Sequence, residues 1–348
     1  MAPEGVSPDR APVDAAALRA AYAEAMQHTN ALTDVISTDQ FSAEYPERPD
    51  WAIGPFARDE TLTFRLDRQW NDPTGIGWRS DSIFNPTLIE REDELHMFYR
   101  ASPRKESTSS RIGHAVRRDG EWTDSPANPI VYPTLANETL GCEDPKIYAV
   151  DGRYVLFYNA IWRTDTGEVA CDIMLAVSDD LAHWDKRGLA VPYEVSQLWA
   201  KGAVVPRDAA GNAVRIGGDY LMFLSEGCGG RPMVGRSDDL VSWRFEEHPY
   251  LDLSALGGSL HEVACAVADG PDLVLDFFYA DRNGDFAAAQ ALYSPDDPFH
   301  QLDVHRGGSL AWGGLQKLGD EWAFAQGWDA PASSREMYFY RSTGRATR

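Results

Sequence analysis

The chain has 348 residues, 43% of them hydrophobic, and a formal net charge of −22 at pH 7. So anionic a surface repels nucleic acid and anionic membranes and suits a neutral ligand. No run of 18 apolar residues is present to span a bilayer. The four cysteines (Cys142, Cys171, Cys228 and Cys265) have neither the CxxC spacing of a zinc site nor the density of a disulfide framework, so no metal is expected.

Residues 1–12 are rich in Pro, Asp and Ala and read as disordered. No positively charged n-region with an apolar h-region opens the chain, so no signal peptide is read and the cytoplasm is the expected location. Asp14 to Gln27 reads as a helix, with Asp14 as cap and Leu18, Tyr22 and Met26 at four-residue steps. So short a helix is marginal alone. It is expected to dock on the rest of the chain or on a second subunit, which makes a homo-oligomer plausible. Pro46, Pro49, Pro55 and Pro73 break any long element over residues 30–80, a stretch expected to donate a strand to the fold that follows. The expected division is an N-terminal extension over 1–30 and one catalytic domain over 31–348.

From Ile83 onward an apolar, aromatic-rich strand recurs five times: Glu94–Ala101, Arg153–Ala160, Asp219–Glu226, Leu273–Ala280 and Glu321–Trp328. After four of these comes a second strand ending in an acidic turn. Ala115, Ala176, Gly235 and Leu292 hold matching places in those strands, 61, 59 and 57 residues apart. A period of that length signals supersecondary units that cannot bury their faces alone. Each has room for four short strands, which is one propeller blade. The expected fold is all-β, a five-bladed β-propeller with a short N-terminal helical extension. The Ser-x-Asp-Leu-x-x-Trp turns, Ser178–Trp184 and Ser237–Trp243, read as structural. Their Asp and Ser side chains accept backbone N–H bonds, and the Trp fills the gap between blades; Asp179, Asp180, Asp238 and Asp239 are not expected to be catalytic.

Innermost strands line a propeller's funnel, so charged groups at their entries are the candidates for chemistry. The densest group is Glu138-Thr-Leu-Gly-Cys-Glu-Asp-Pro-Lys146, where Glu143 and Asp144 precede a proline that suits a strand's first residue. Matching entries bring Asn85 (Phe84-Asn-Pro-Thr87), Lys201, His261 and Glu262, while Arg100 and Glu226 close hairpin strands. Asp81 lies close enough to the funnel to bind a ligand's polar groups. Trp70-Asn-Asp-Pro-Thr-Gly75 offers Asp72 as a weaker alternative. Trp78, Trp162, Trp199, Trp312 and Trp328 are candidates for stacking on a ligand at the rim or for filling gaps, and His96 and His114 for packing.

The FNP motif, with the Arg of FYRA fifteen residues after Asn85, the E-x-x-G-x-EDP-[RK] block and the paired S-x-DL-x-x-W turns resemble glycoside hydrolase family 130 from about Ile83 to Pro298. That family comprises five-bladed β-mannoside phosphorylases and β-mannosidases. The resemblance implies Asp144 as proton donor to the glycosidic oxygen, and Asn85 and Arg100 as sugar-binding residues. It also implies four basic phosphate-holding positions. Lys201 keeps one; the second and third fall on Glu226 and Glu262, and the fourth, the His of Y-H-G, falls in Phe278-Tyr-Ala-Asp281 on Ala280, so up to three of the four look acidic or neutral. Lys146 stands where the family has Arg, keeping charge but losing bidentate geometry.

Two carboxylates within about 4 Å of a phosphate would each cost about 4 kcal/mol at an effective dielectric near 20. They could instead deprotonate water, as an inverting glycosidase requires. The expectation is therefore an inverting β-mannosidase-like hydrolase acting on an oligosaccharide without cofactor, with Asp144 as acid and Glu226 or Glu262 as base. Three alternatives stand beside it: a phosphorylase holding phosphate with Lys201, Lys146 and arginines such as Arg231 or Arg236; a furanosidase of a related five-bladed family; and a non-catalytic sugar-binding propeller.

Overall fold

Strand alternation with both faces apolar demands partners on both sides, and the sheets supply them. The computed structural model describes residues 6–27, 48–66, 77–104, 107–309, 311–331 and 333–343. Blade one runs antiparallel through Ser82–Arg91, Glu94–Ser102, Arg111–Arg118 and Glu121–Asp124. Blade two follows with Gly141–Val150, Arg153–Arg163, Val169–Ser178 and Asp185–Leu189, and blade four with Ser259–Asp269, Asp272–Ala280, Phe286–Tyr293 and Asp303–Arg306. Blade three (Arg215–Ile216, Asp219–Leu224, Met233–Ser237, Arg244–Glu247) has short strands. The chain ahead of it pairs only briefly, Ala200–Lys201 with Glu226–Gly227 and Pro206–Arg207 with the first strand of blade four.

Blade five is built from both ends of the sequence. Gln316–Leu318, Glu321–Gln326 and Glu336–Ser342 are joined by Phe56–Arg58 and Phe64–Arg65, both antiparallel to Glu336–Ser342. This is the strand expected from residues 30–80, and it closes the ring. Pro46, Pro73 and the Trp70–Gly75 motif with Asp72 lie outside the described residues.

Hydrophobic clusters fill each interface between neighbouring blades. Phe98, Ile147 and Leu156 join blades one and two; Phe157, Leu175 and Met222 join two and three. Phe223, Val234 and Phe277 join three and four; Phe278, Trp312 and Phe324 join four and five; Met97, Tyr99 and Phe339 join five and one. Five interfaces among five blades close the ring, and each blade ends in a short outer strand that limits the exposed sheet edge.

The two Ser-x-Asp-Leu-x-x-Trp turns are superposable in their bonding. Ser178 Oγ accepts from the amides of Asp180 and Leu181, and Asp180 Oδ1 from those of Ala182 and His183. Ser237 and Asp239 repeat the pattern with Leu240, Val241 and Ser242. Trp184 then meets Phe98 of blade one, and Trp243 meets Phe157 of blade two, each edge to face. These acids serve structure, as the sequence led us to expect.

The N-terminal helix, α1, spans Ala15–Ala25, and Asp14 Oδ1 caps it by accepting from the amides of Ala16 and Ala17. Ala25 is buried against Leu140, Ile161 and Cys171 of blade two, and Glu24 pairs with Arg163. Only part of the stretch expected to be disordered is described. Within it Ser7 Oγ bonds Asp9, and Asp9 accepts from the Leu189 amide, so residues 7–9 are docked rather than loose.

Candidate active site

Two residues at the heart of the funnel hold backbone conformations that side chains rarely adopt. Asn85 has φ 45° and Asp144 φ 53°. Each precedes a proline, and each sits at a break in the pairing register of its strand, between Phe84 and Thr87 and between Glu143 and Lys146. The proline has no N–H to give the ladder, so the bulge falls there and turns the preceding side chain inward. Strain of this kind persists only where the surroundings over-determine it, which is typical of binding sites.

The two side chains meet. Asn85 Nδ2 donates to Asp144 Oδ1 at 2.7 Å, and Trp328 Nε1 donates to Asn85 Oδ1. Arg100 Nη1 lies 2.7 Å from Glu143 Oε2 and 3.1 Å from Asp144 Oδ1. The guanidinium is held from behind by Ser110 Oγ, which accepts from its Nε at 2.7 Å, and lies over the Phe84 ring. Lys201 Nζ reaches both acids, 3.5 Å from Glu143 and 3.4 Å from Asp144.

The second half of the site comes from blades three and four. Lys201 pairs in register with Glu226. One ligand atom each from Glu226, His261 and Glu262 falls within 4.8 Å of the others, the one such group of His, Cys, Asp or Glu among the described residues. Trp199 Nε1 donates to Glu226 Oε1 at 3.0 Å, and Trp312 Nε1 to Glu262 Oε2 at 3.1 Å. Lys146 Nζ stands 3.8 Å from Glu262 and donates to the carbonyl oxygens of Ala264 and Trp312. The trio has the donor set of a divalent-cation site, but the neighbouring Lys146 and Lys201 make a second positive charge there costly.

The carboxyls are driven apart in acidity. Burial raises Asp144, but Arg100, Lys201 and the Asn85 hydrogen bond outweigh it and hold the group well below the usual carboxylate range. Glu143 is raised, because burial outweighs Arg100 and Lys201. Burial also pushes Glu262 up to about 7, with Lys146 opposing and Glu226 reinforcing it. Burial tends to lower Lys201, but Glu143 and Asp144 reverse this and hold it firmly charged. His261 is lowered by burial, against the pull of Glu226. An anionic Asp144 runs opposite to what a proton donor needs.

Thus eight of the nine residues singled out in the sequence (Asn85, Arg100, Glu143, Asp144, Lys201, Glu226, His261 and Glu262) fall into these two facing groups. Asp81 does not; it accepts from Ser333 Oγ on the rim between blades one and five. Of the basic residues considered for an anion, Arg231 donates to the carbonyls of Cys228 and Val195, and Arg236 pairs with Asp219 and Glu246. Asp281 caps a turn by accepting from the amides of Asn283 and Asp285. Trp78 is no rim residue, being fully buried and stacked on Tyr99, and Trp162 is buried against Asp172. His96 and His114 stack on each other, and His114 on Phe98. Sequence reading missed the supporting hydroxyls, Ser110 behind Arg100 and Ser225, whose Oγ accepts from the Val263 amide. No local motif marks either one.

Comparison with known proteins identifies the family. The family model described as beta-1,4-mannooligosaccharide phosphorylase, Glyco_hydro_130, matches residues 63–257, more than half of the chain. A beta-1,2-mannobiose phosphorylase of Thermoanaerobacter sp. is 28% identical over 46% of this chain and 54% of its own length. The chain therefore spans about half the length of that curated relative. Two solved structures share the fold. One comes from work on glycoside hydrolases within the GH130 mannoside phosphorylases that target beta-1,2 mannosidic linkages in Candida mannan (TM-score 0.66, 19% identity, 88% of this chain and 98% of that one). The other is the beta-1,2-mannobiose phosphorylase of Listeria innocua with beta-1,2-mannobiose (TM-score 0.61, 15% identity, 82% and 96%). With the repeat, the bulged Asn-Pro and Asp-Pro entries and the family match in hand, this chain is a five-bladed β-propeller that belongs to glycoside hydrolase family 130.

Proposed function

We propose that the enzyme cleaves β-mannosides, among them β-1,2-linked manno-oligosaccharides, by inverting hydrolysis. The observation that carries this reading is the pair Glu226 and Glu262, gathered with His261 within 4.8 Å at positions that the family resemblance gives to cations. A phosphate among them would meet anionic repulsion of several kcal/mol, whereas water would meet a base. Glu262 near 7 has the proton affinity wanted of a general base at neutral pH. Asn85, Arg100 and Lys201 would hold the sugar. Asp144 would give its proton to the leaving oxygen.

For Asp144 to do so, it must take up a proton as substrate fills the pocket. A neutral sugar that displaces the contacts of Lys201 or Arg100 removes the charges that now keep the carboxyl ionised. Burial, which already acts to raise it, then meets less opposition. Proton uptake on sugar binding is thus a requirement of this mechanism.

Phosphorolysis is the second reading, and the comparisons favour it: both the family-model description and the curated relative name phosphorylases. Below pH 7 a protonated Glu262 would weaken the repulsion that argues against phosphate. Incubation with β-1,2-mannobiose, with and without inorganic phosphate, separates the two. Free mannose at a rate indifferent to phosphate fits hydrolysis; turnover that requires phosphate and yields mannose 1-phosphate replaces it.

A further inference from the structure

Arg207 stands on the axis of the ring, at the end away from the two facing groups of the candidate active site. Its backbone pairs with Val267 in the first strand of blade four. Its Nη2 donates to the Leu88 carbonyl in the first strand of blade one at 3.0 Å and to Gln316 Oε1 in blade five at 2.6 Å. The turn after it bonds blade two, where the Ala149 amide donates to the Gly211 carbonyl and the Ala149 carbonyl accepts from the Ala213 amide. Leu88, Ala149 and Val267 come three to five residues after Asn85, Asp144 and Glu262 on the same strands. At the rise of a β-strand this puts Arg207 about 10–17 Å beneath the site.

The guanidinium is buried and only half satisfied. Arg207 is 2% exposed, and its Nε and Nη1 have no hydrogen-bond partner among the described residues. No carboxylate among those residues pairs with it. Asp208 acts on it from a distance, its oxygens accepting from the amides of Ala210 and Asn212 and from Asn212 Nδ2. Burial keeps two further neighbours protonated, Cys265 and Tyr148, the latter raised to about 12. Arg91 lies across the same turn, donating to the Ala210 carbonyl and Asn212 Oδ1, and adds a second positive charge. A guanidinium does not lose its proton in a protein, and a buried charge left without a counter-charge is strongly destabilising. Gly314 leaves room beside it: a Cβ there would stand 3.1 Å from Arg207 Nη1, with its three nearest atoms all belonging to Arg207. One atom in that space would be at hydrogen-bond distance.

We propose that Arg207 binds a small monatomic anion of the halide class through Nε and Nη1, on the ring axis beneath the active site. A water would satisfy the two N–H groups but leave the charge. Room for one atom admits chloride and excludes a tetrahedral anion such as phosphate. The ion acts on the stability of the ring where the inner strands of blades one, four and five meet, and this role is independent of the reaction catalysed.

Two measurements test it. Crystals soaked in sodium bromide are expected to show an anomalous peak in hydrogen-bond reach of Arg207 Nε or Nη1. In solution at matched ionic strength, sodium chloride in place of sodium gluconate is expected to raise the wild-type unfolding midpoint, increasing with the logarithm of chloride concentration above its dissociation constant. Arg207→Met is expected to show no such rise. A water at that place without a bromide peak overturns the proposal, and so does an equal chloride response of wild type and Arg207→Met. A bromide peak without any chloride response marks an adventitious ion only and overturns it too. Should Arg207→Met fail to fold, the wild-type anomalous map and the wild-type chloride response decide together: both must be positive for the proposal to stand.

Discussion

Asp144 is the residue on which the chemistry turns, and two of its properties have different origins. Its position follows from an Asp-Pro pair at a register break, which is visible in the sequence. Its ionisation follows from Arg100 and Lys201, brought from 44 and 57 residues away, and no local motif contains that. Asp144→Asn is expected to keep the Asn85 contact and lower kcat/KM by roughly 10²–10⁴-fold, the usual worth of a positioned proton donor. An unbuffered binding titration should show proton uptake by the wild type on sugar binding and none by Asp144→Asn. Equal uptake by both would remove Asp144 as the site of protonation.

Glu262 supplies a pH prediction whose sign can be worked out. A base must be unprotonated, so activity rises with pH through about 7 as Glu262 loses its proton. Lys146 is the larger of the two nearby charges, with Lys201, that lower this carboxyl. Lys146→Met therefore moves the acid limb of the kcat/KM profile to higher pH, and an unmoved or lowered limb would show that the limb belongs to another group. Asp81, just ahead of the strand that carries Asn85, stands apart from the two facing groups and accepts from Ser333 Oγ.

At the scale of single elements, the acidic turns were the most legible part of the sequence. Ser, Asp, Leu and Trp at fixed offsets describe a complete local hydrogen-bonding unit, so propensity and tertiary role agree. Ser237→Ala removes an acceptor for the amides of Asp239 and Leu240. It should cost about 1 kcal/mol and lower the melting midpoint by roughly 1–2 °C, measured by circular dichroism, with activity unchanged. Blade three was the least legible. Its entry segment was read as an ordinary strand, yet the short Ala200–Lys201 and Pro206–Arg207 pairings leave Lys201 on an irregular stretch. Gly202 explains part of this: at φ 67°, a side chain there would strike Ser225 and Glu262.

A buried acid in blade four adds a stability prediction. Asp276 accepts from Gln290 Nε2 and the Ser309 amide, and burial pushes it up to about 7 from the ordinary 3.8. The folded state thus binds this proton more tightly than the unfolded chain does, so stability falls as pH rises from about 4 to about 7. Asp276→Asn should flatten that dependence in denaturant titrations across this range. An unchanged slope would place the linkage elsewhere.

At the scale of the whole molecule, the ring was legible because the period was. Repeats of 57–61 residues have one economical arrangement, and five inter-blade cores realise it. Closure was legible only as an expectation that some part of residues 30–80 would supply a strand. That the strands are Phe56–Arg58 and Phe64–Arg65 depends on pairing with Glu336–Ser342 across the full length of the chain, which periodicity does not encode. The balance of charge in the funnel was legible as residue types and not as geometry. Acids stand where a phosphate-using relative would place cations, and the cations that remain are already engaged with acids.

On the proposed mechanism that balance makes water the incoming group, and proton NMR of the first product from β-1,2-mannobiose tests it most directly, run in phosphate buffer and again without phosphate. The account predicts α-mannose as the first-formed reducing sugar in both, with equal initial rates. Mannose 1-phosphate in the first sample and no reaction in the second would contradict it.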